Sequence, residues 1–146
     1  MEGEIEEVDD ALYSRITELC EEGDEAQAEG EYKAAIVKYD EAWNLLPDPK
    51  EKWEASTWIL SAIADACFLA GHKEAALETL RYAMTCPGAI GNPFLHMRLG
   101  QSLLDTDGDE AQVVDELLRA YMGAGEEIFE DEDPRYLDFL RSRVQL

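Results

Sequence analysis

The chain of 146 residues is short of positive charge: 12 Lys and Arg stand against 34 Asp and Glu, a formal net charge of −22. Such an imbalance repels the phosphates of nucleic acid and anionic lipid headgroups, so neither is expected as a partner. Long apolar runs are missing too, since no stretch approaches the ~18 consecutive apolar residues of a membrane span. The first ten residues, MEGEIEEVDD, have no basic n-region and no apolar core, and do not read as a secretory signal. Cysteine is scarce. Cys20, Cys67 and Cys86 are odd in number and widely spaced among apolar neighbours, which predicts small core residues in a reducing compartment. A cytoplasmic location is the expectation.

Catalytic raw material is equally thin. There are two histidines, His72 and His96, with no cysteine or histidine at a metal-ligand spacing and no Ser, His and Asp order that suggests a triad. The glycine clusters GAIGNP and GAGEE lack the lysine and the preceding strand of a phosphate loop. No enzyme, cofactor or metal is expected, and both histidines are read as structural or surface residues.

Alternating Val, Ile and Thr runs are absent as well, while apolar residues recur at helical spacing along most of the chain. This predicts an all-α protein. A first helix is expected over 4–28, with Ile5, Val8, Leu12, Ile16 and Leu19 on one stripe. Others follow over 32–46, closed by the PDP sequence, and over 50–70, stopped at Gly71. A fourth runs over 72–85, ended by CPG. Three more are expected over 93–104, 109–122 and 134–144, with Pro93 and Pro134 placed where proline favours a helix start.

Repetition shows when each turn glycine is taken as origin. Gly30 is followed by Tyr32, Ala35, Tyr39 and Ala42; Gly71 by Lys73, Ala76, Leu80 and Ala83; Gly108 by Glu110, Val113, Leu117 and Ala120, at equal spacing. Small, bulky and small residues thus share one face of three helices. Small residues, Gly23, Ala64 and Gly100, also precede the turns by seven or eight positions, one for the helix before each turn.

This spacing resembles the tetratricopeptide repeat (TPR), a helical hairpin of about 34 residues. The best match is about 16–49, with Gly23, Gly30, Tyr32, Ala35, Tyr39, Ala42 and Pro47. A second unit over about 57–92 has Lys73 in place of the aromatic residue, and a third over about 93–125 carries one extra residue before Gly108. The resemblance implies a single TPR-like domain over 1–146, a right-handed stack of three hairpins. The helix over about 134–144 resembles one that covers the last repeat. It also implies that the first helix of each hairpin lines a concave face. That face would carry Cys20, Asp24 and Gln27, then Trp58, Ser61, Asp65 and Phe68, then Phe94, Met97, Gln101 and Asp105. Some members of the family clamp an acidic peptide tail there with Lys, Arg and Asn. Here only Arg98 is nearby, which argues against that use.

Two acidic stretches need separate treatment. DTDGDEAQVVDE, residues 105–116, spaces carboxylates at Asp105, Asp107, Asp109 and Glu116 as a calcium-binding EF-hand loop does, but has Glu110 where such a loop needs glycine. The segment 126–133 holds six acids in eight residues and leads into an amphipathic helix with Tyr136, Leu137, Phe139 and Leu140. In ending, size and charge the chain is similar to small TPR proteins encoded beside bacterial polymorphic toxins. The similarity implies an immunity protein that neutralises a basic toxin domain.

The candidate partner contacts are Asp24, Trp58, Asp65, Phe94, Met97, Gln101, Glu126, Glu127, Glu130 and Asp131. Two alternatives stand beside the immunity role: a secretion chaperone or adaptor holding a peptide in its groove, and a calcium-binding regulator. Dimerisation through a face around Trp53 and Trp58 is left open.

Overall fold

The structure, a computed structural model, describes residues 9–146. Ile5 and Val8 of the expected first stripe lie outside that range. Among the described residues there are seven α-helices: α1 (Asp10–Ala28), α2 (Tyr32–Leu45), α3 (Glu54–Leu69), α4 (Lys73–Ala83), α5 (Pro93–Asp105), α6 (Glu110–Ala124) and α7 (Pro134–Arg143). Short 3₁₀ turns occupy Lys50–Lys52 and Glu126–Phe129, and no strand is present among the described residues. The chain divides into two compact units, 1–89 and 90–146.

In the first unit α1 and α2 form one hairpin and α3 and α4 another, with α2 also packed on α3. The helix α1 begins at Asp9, whose carboxylate accepts from the Leu12 amide at 2.9 Å, an N-cap that satisfies one of the unpaired first-turn donors. It ends at Gly30 (φ +77°), where the Glu31 amide reaches back to the Ala26 carbonyl at 2.9 Å. Gly71 (φ +84°) closes α3 the same way through the amide of His72 and the Cys67 carbonyl. These turns need glycine because the left-handed region crowds a Cβ.

The repeated face is the core. Ala35, Tyr39 and Ala42 on α2, and Ala76, Leu80 and Ala83 on α4, are all buried; α6 of the second unit buries Val113, Leu117 and Ala120 in the same way. The small residues before the turns are the matching sockets. A Cβ at Gly23 would stand 2.5 Å from the Tyr39 ring, and one at Gly100 2.7 Å from a Leu117 methyl, so neither position has room for a side chain.

Two expectations change in register. The helix expected over 50–70 is a 3₁₀ turn and then α3, because Trp53 takes an extended conformation (φ −93°, ψ 143°). It does so with its indole buried and its Nε1–H donating to the Pro47 carbonyl at 2.7 Å. Ser56 caps the break by donating to the carbonyl of Lys50. Trp53 therefore belongs to the core, while Trp58 is exposed, and the two do not form one open face. In the second unit the turn residue with positive φ is Asp107 (φ +58°), not Gly108. Gly108 instead donates back to the Leu103 carbonyl at 2.7 Å, the role of Glu31 and His72 in the other turns. The extra residue thus lies after the left-handed position: α6 starts at Glu110, three residues after Asp107, where α2 and α4 start two after Gly30 and Gly71.

All three cysteines are reduced and buried. Burial is the main reason that each thiol is held above its ordinary range, Cys20 at about 11 with the Asp24 charge adding to it. At pH 8 the thiols are therefore protonated and shielded. Native protein should leave Ellman's reagent unreacted over an hour and release three thiols per chain in denaturant. A fast native thiol would contradict the packing of α1, α3 or the turn after α4.

Candidate functional site

Within the first unit, α1 and α3 meet along a stripe that combines aromatic rings with carboxylates. Tyr13 and Trp58 pack edge to face with ring centroids 6.3 Å apart, and both are exposed, at 47% and 37%. Further along, Gln27 Nε2 donates to Asp65 at 2.7 Å, tying α1 to α3. The amide oxygen of Gln27 and the hydroxyl of Thr17 are buried without a hydrogen-bond partner. Asp24 is exposed but not idle: it accepts from the Tyr39 hydroxyl at 2.6 Å, and burial together with this bond raises the phenol well above its usual range. Three of the expected contacts, Asp24, Trp58 and Asp65, therefore share one surface. Tyr13 was not among them, although its place one turn before Thr17 and two before Cys20 marks the same stripe.

In the second unit the expected contacts are arranged differently. Met97 and Gln101 are buried, at 1% and 0% exposure, and present nothing to solvent. Phe94 is half-buried with the Arg98 guanidinium 5.1 Å from its ring centre. Arg98 and Gln101 both donate to the same carboxylate oxygen of Glu132, Gln101 at 2.9 Å, and Arg98 also donates to the Gln101 side-chain oxygen at 2.8 Å. Glu132 was not singled out from the sequence. The signal was Arg98 itself: a cation in the middle of an apolar helix demands a partner. Of the acidic segment, Glu126, Glu127, Glu130 and Asp131 are exposed, and Glu126 pairs with Arg141 at 2.6 Å.

The stretch 105–116 does not gather its oxygens. Asp105 accepts from Arg135 at 2.5 Å and from the Tyr136 hydroxyl at 2.6 Å, which docks α7 against the end of α5. Asp109 caps α6 at the Gln112 amide, and Glu116 meets His96 Nδ1 at 2.6 Å. Helix α6 starts at Glu110, which directs these carboxylates to separate partners. An EF-hand site is not formed, and no cluster of three or more candidate metal ligands occurs among the described residues. His96 is a core residue: the Gly91 amide donates to its Nε2 at 2.8 Å, so Nδ1 carries the proton given to Glu116. His72 is exposed at the start of α4. No helix among the described residues is long and apolar enough to cross a membrane.

No protein-family model matches the chain, and no curated protein matches it in sequence. Solved structures do match in fold. One is the Yersinia enterocolitica type III secretion chaperone SycD in complex with a peptide of the translocator YopD, with a TM-score of 0.65 at 14% identity over 92% of this chain and 93% of that one. Another structure of the translocator chaperone SycD gives a TM-score of 0.68 at 14% identity, over 89% and 83%. The fold is TPR-like and all-helical.

Proposed function

We propose that the chain is a non-enzymatic peptide-binding module, a chaperone or adaptor that holds an extended segment of a partner protein along the α1–α3 face. The observation that carries this is the exposed Tyr13–Trp58 pair standing on the same face as Asp24, Gln27 and Asp65. Rings supply apolar contact at small entropic cost. With a net charge of −22, the segment best suited to it mixes apolar and basic residues. A fold shared with a chaperone solved with a translocator peptide supports the same direction.

A toxin-neutralising role has less behind it. The structural neighbours do not point to it, and two acids of the segment meant to meet the toxin, Glu126 and Glu132, are paired with the chain's own Arg141 and Arg98.

The test is a panel of labelled peptides of apolar and basic composition, titrated against wild type and Trp58→Ala. Several peptides should bind, and the substitution should weaken each at least tenfold, a loss of about 1.4 kcal/mol, with the helical circular dichroism at the assay temperature unchanged because Trp58 is not part of the core cluster. Equal affinities for the two proteins would overturn the assignment of this face. Recognition of one folded domain and no peptide would overturn the peptide-binding role.

A further inference from the structure

Helix α7 carries charge of the opposite sign to the chain it belongs to. Pro134–Arg143 holds three arginines and one aspartate, in a protein of net charge −22. A helix that only covered the last hairpin would need an apolar inner face and any soluble outer one. Here each arginine instead reaches a carboxylate on another element of the second unit. Arg135 pairs with Asp105 at the end of α5 at 2.5 Å, Arg143 with Glu110 at the start of α6 at 2.9 Å, and Arg141 with Glu126 in the 3₁₀ turn at 2.6 Å. Between these pairs Tyr136 and Leu140, one turn apart, are the buried residues of α7. Asp105 is the deepest of the three acids, with its side chain 4% exposed, and also accepts from the Tyr136 hydroxyl at 2.6 Å. The hold on α7 is nevertheless light. Ten residues fall short of the ~12–15 at which an isolated helix becomes even marginally stable, so α7 keeps its form by docking. Two buried side chains add little apolar burial, and the arginines are 42–49% exposed, which leaves their pairs open to screening by water and salt. An element of this kind opens at lower free energy than a helix such as α5, which buries nine residues. Its departure uncovers an apolar socket ringed by Asp105, Glu110 and Glu126.

We infer that α7 is a releasable latch, and that its seat takes a basic amphipathic helix from a partner protein, with a ring and a leucine one turn apart and arginines at both ends. The resident helix defines this chemistry. The Arg135 guanidinium lies 4.2 Å from the centre of the Tyr136 ring and that of Arg143 4.6 Å from the centre of the Phe139 ring. The cations thus rest on rings of α7 itself, and a partner helix with the same order of residues brings them equally preorganised. Charge complementarity selects such a helix over an acidic segment, which the three carboxylates would repel. Docking follows the helix-in-groove mode, with Tyr136 and Leu140 marking the two apolar anchors. The incoming helix competes with α7 for the same socket, so its binding and the release of α7 are one event. Covalent attachment gives α7 a high effective concentration, which the partner must exceed through affinity or abundance. The seat belongs to the second unit, and its test involves no residue of the α1–α3 face.

The experiment uses the full chain and, as probe, a fluorescein-labelled peptide of residues 133–146, DPRYLDFLRSRVQL, in about 0.1 M salt, where surface charge is only partly screened. Arg141→Glu with Arg143→Glu sets like charges against Glu126 and Glu110 without touching a buried side chain, and should free the seat. That variant should bind the probe at least tenfold more tightly than wild type by fluorescence anisotropy, while a scrambled probe of the same composition binds both proteins weakly and equally. Asp105→Asn in the same background should remove the gain. In hydrogen exchange, amides of α7 should open faster than those of α5 in wild type, and faster again at about 0.5 M salt. Equal probe affinity for wild type and variant, a scrambled probe bound as well as the true one, or α7 protected as well as α5 would overturn the inference. A dimer that grows with protein concentration while the probe stays unbound would assign the seat to α7 of a second copy and overturn it likewise. Should circular dichroism show the double variant unfolded, Arg143→Ala alone takes its place with the same expected order.

Discussion

Arg98→Ala is expected to lower the stability of the second unit by about 3–5 kcal/mol, the cost of leaving a buried carboxylate without its cation. Both side chains of the pair are withdrawn from water, Arg98 at 6% exposure and Glu132 at 15%, so solvent screening does not rescue the survivor. Gln101, fully buried between them, loses the Arg98 donor and keeps only its own bond to Glu132. Urea denaturation of wild type and variant measures the difference. Replacing both charges, Arg98→Met with Glu132→Leu, should recover most of the loss, because no orphaned charge remains. If the single and double variants were equally destabilised, the loss would come from packing, and the ion pair would not be the anchor of the acidic segment.

Tyr39→Ala should cost the first unit a similar amount, about 3–5 kcal/mol, which for a chain of this size lowers the melting temperature by roughly 10–20 °C. The ring is 1% exposed, fills the socket left by Gly23, and carries a hydroxyl that donates to Asp24 at 2.6 Å. The related changes should rank below it. Gly23→Ala drives a methyl into the ring and should cost about 1–3 kcal/mol. Tyr39→Phe removes only the hydrogen bond and should cost about 1 kcal/mol. Thermal melts of the three variants test that order. A Tyr39→Ala cost below about 1 kcal/mol would mean that α1 and α2 do not interlock here.

The hairpins were legible because their signals are local and periodic. A glycine needed for positive φ, followed at fixed distances by Ala35, Tyr39 and Ala42 or by Ala76, Leu80 and Ala83, states both where the chain turns and which helical face is buried. Even the departure in the third hairpin was visible as one extra residue before Gly108, although not that Asp107 would take the left-handed conformation. The break at Trp53 was hidden for the opposite reason. Helical periodicity runs through it, and only the tertiary pull of a buried indole on the Pro47 carbonyl interrupts the helix.

The candidate site was half legible. Trp58, Asp24 and Asp65 follow from the stripe pattern on α1 and α3, but spacing cannot say that Tyr13 reaches Trp58 or that Gln27 ties to Asp65. The acidic stretches were read as open to a partner or an ion because charge in sequence has no direction. In the fold, Asp105 turns to Arg135 and Tyr136, Glu116 to His96, and Glu132 to Arg98.

The amino-acid order alone determined the helical class, the turns and the packing face of each repeat, since these depend on φ preferences and on a 3.6-residue period that any local window contains. Only the tertiary structure decided which carboxylates are spent within the molecule and which remain at its surface. Side-chain pairs form between residues about 20 to 34 positions apart, as in the His96–Glu116 hydrogen bond and the Arg98–Glu132 ion pair, and such distances are closed by the packing of whole helices, not by any neighbour in the chain.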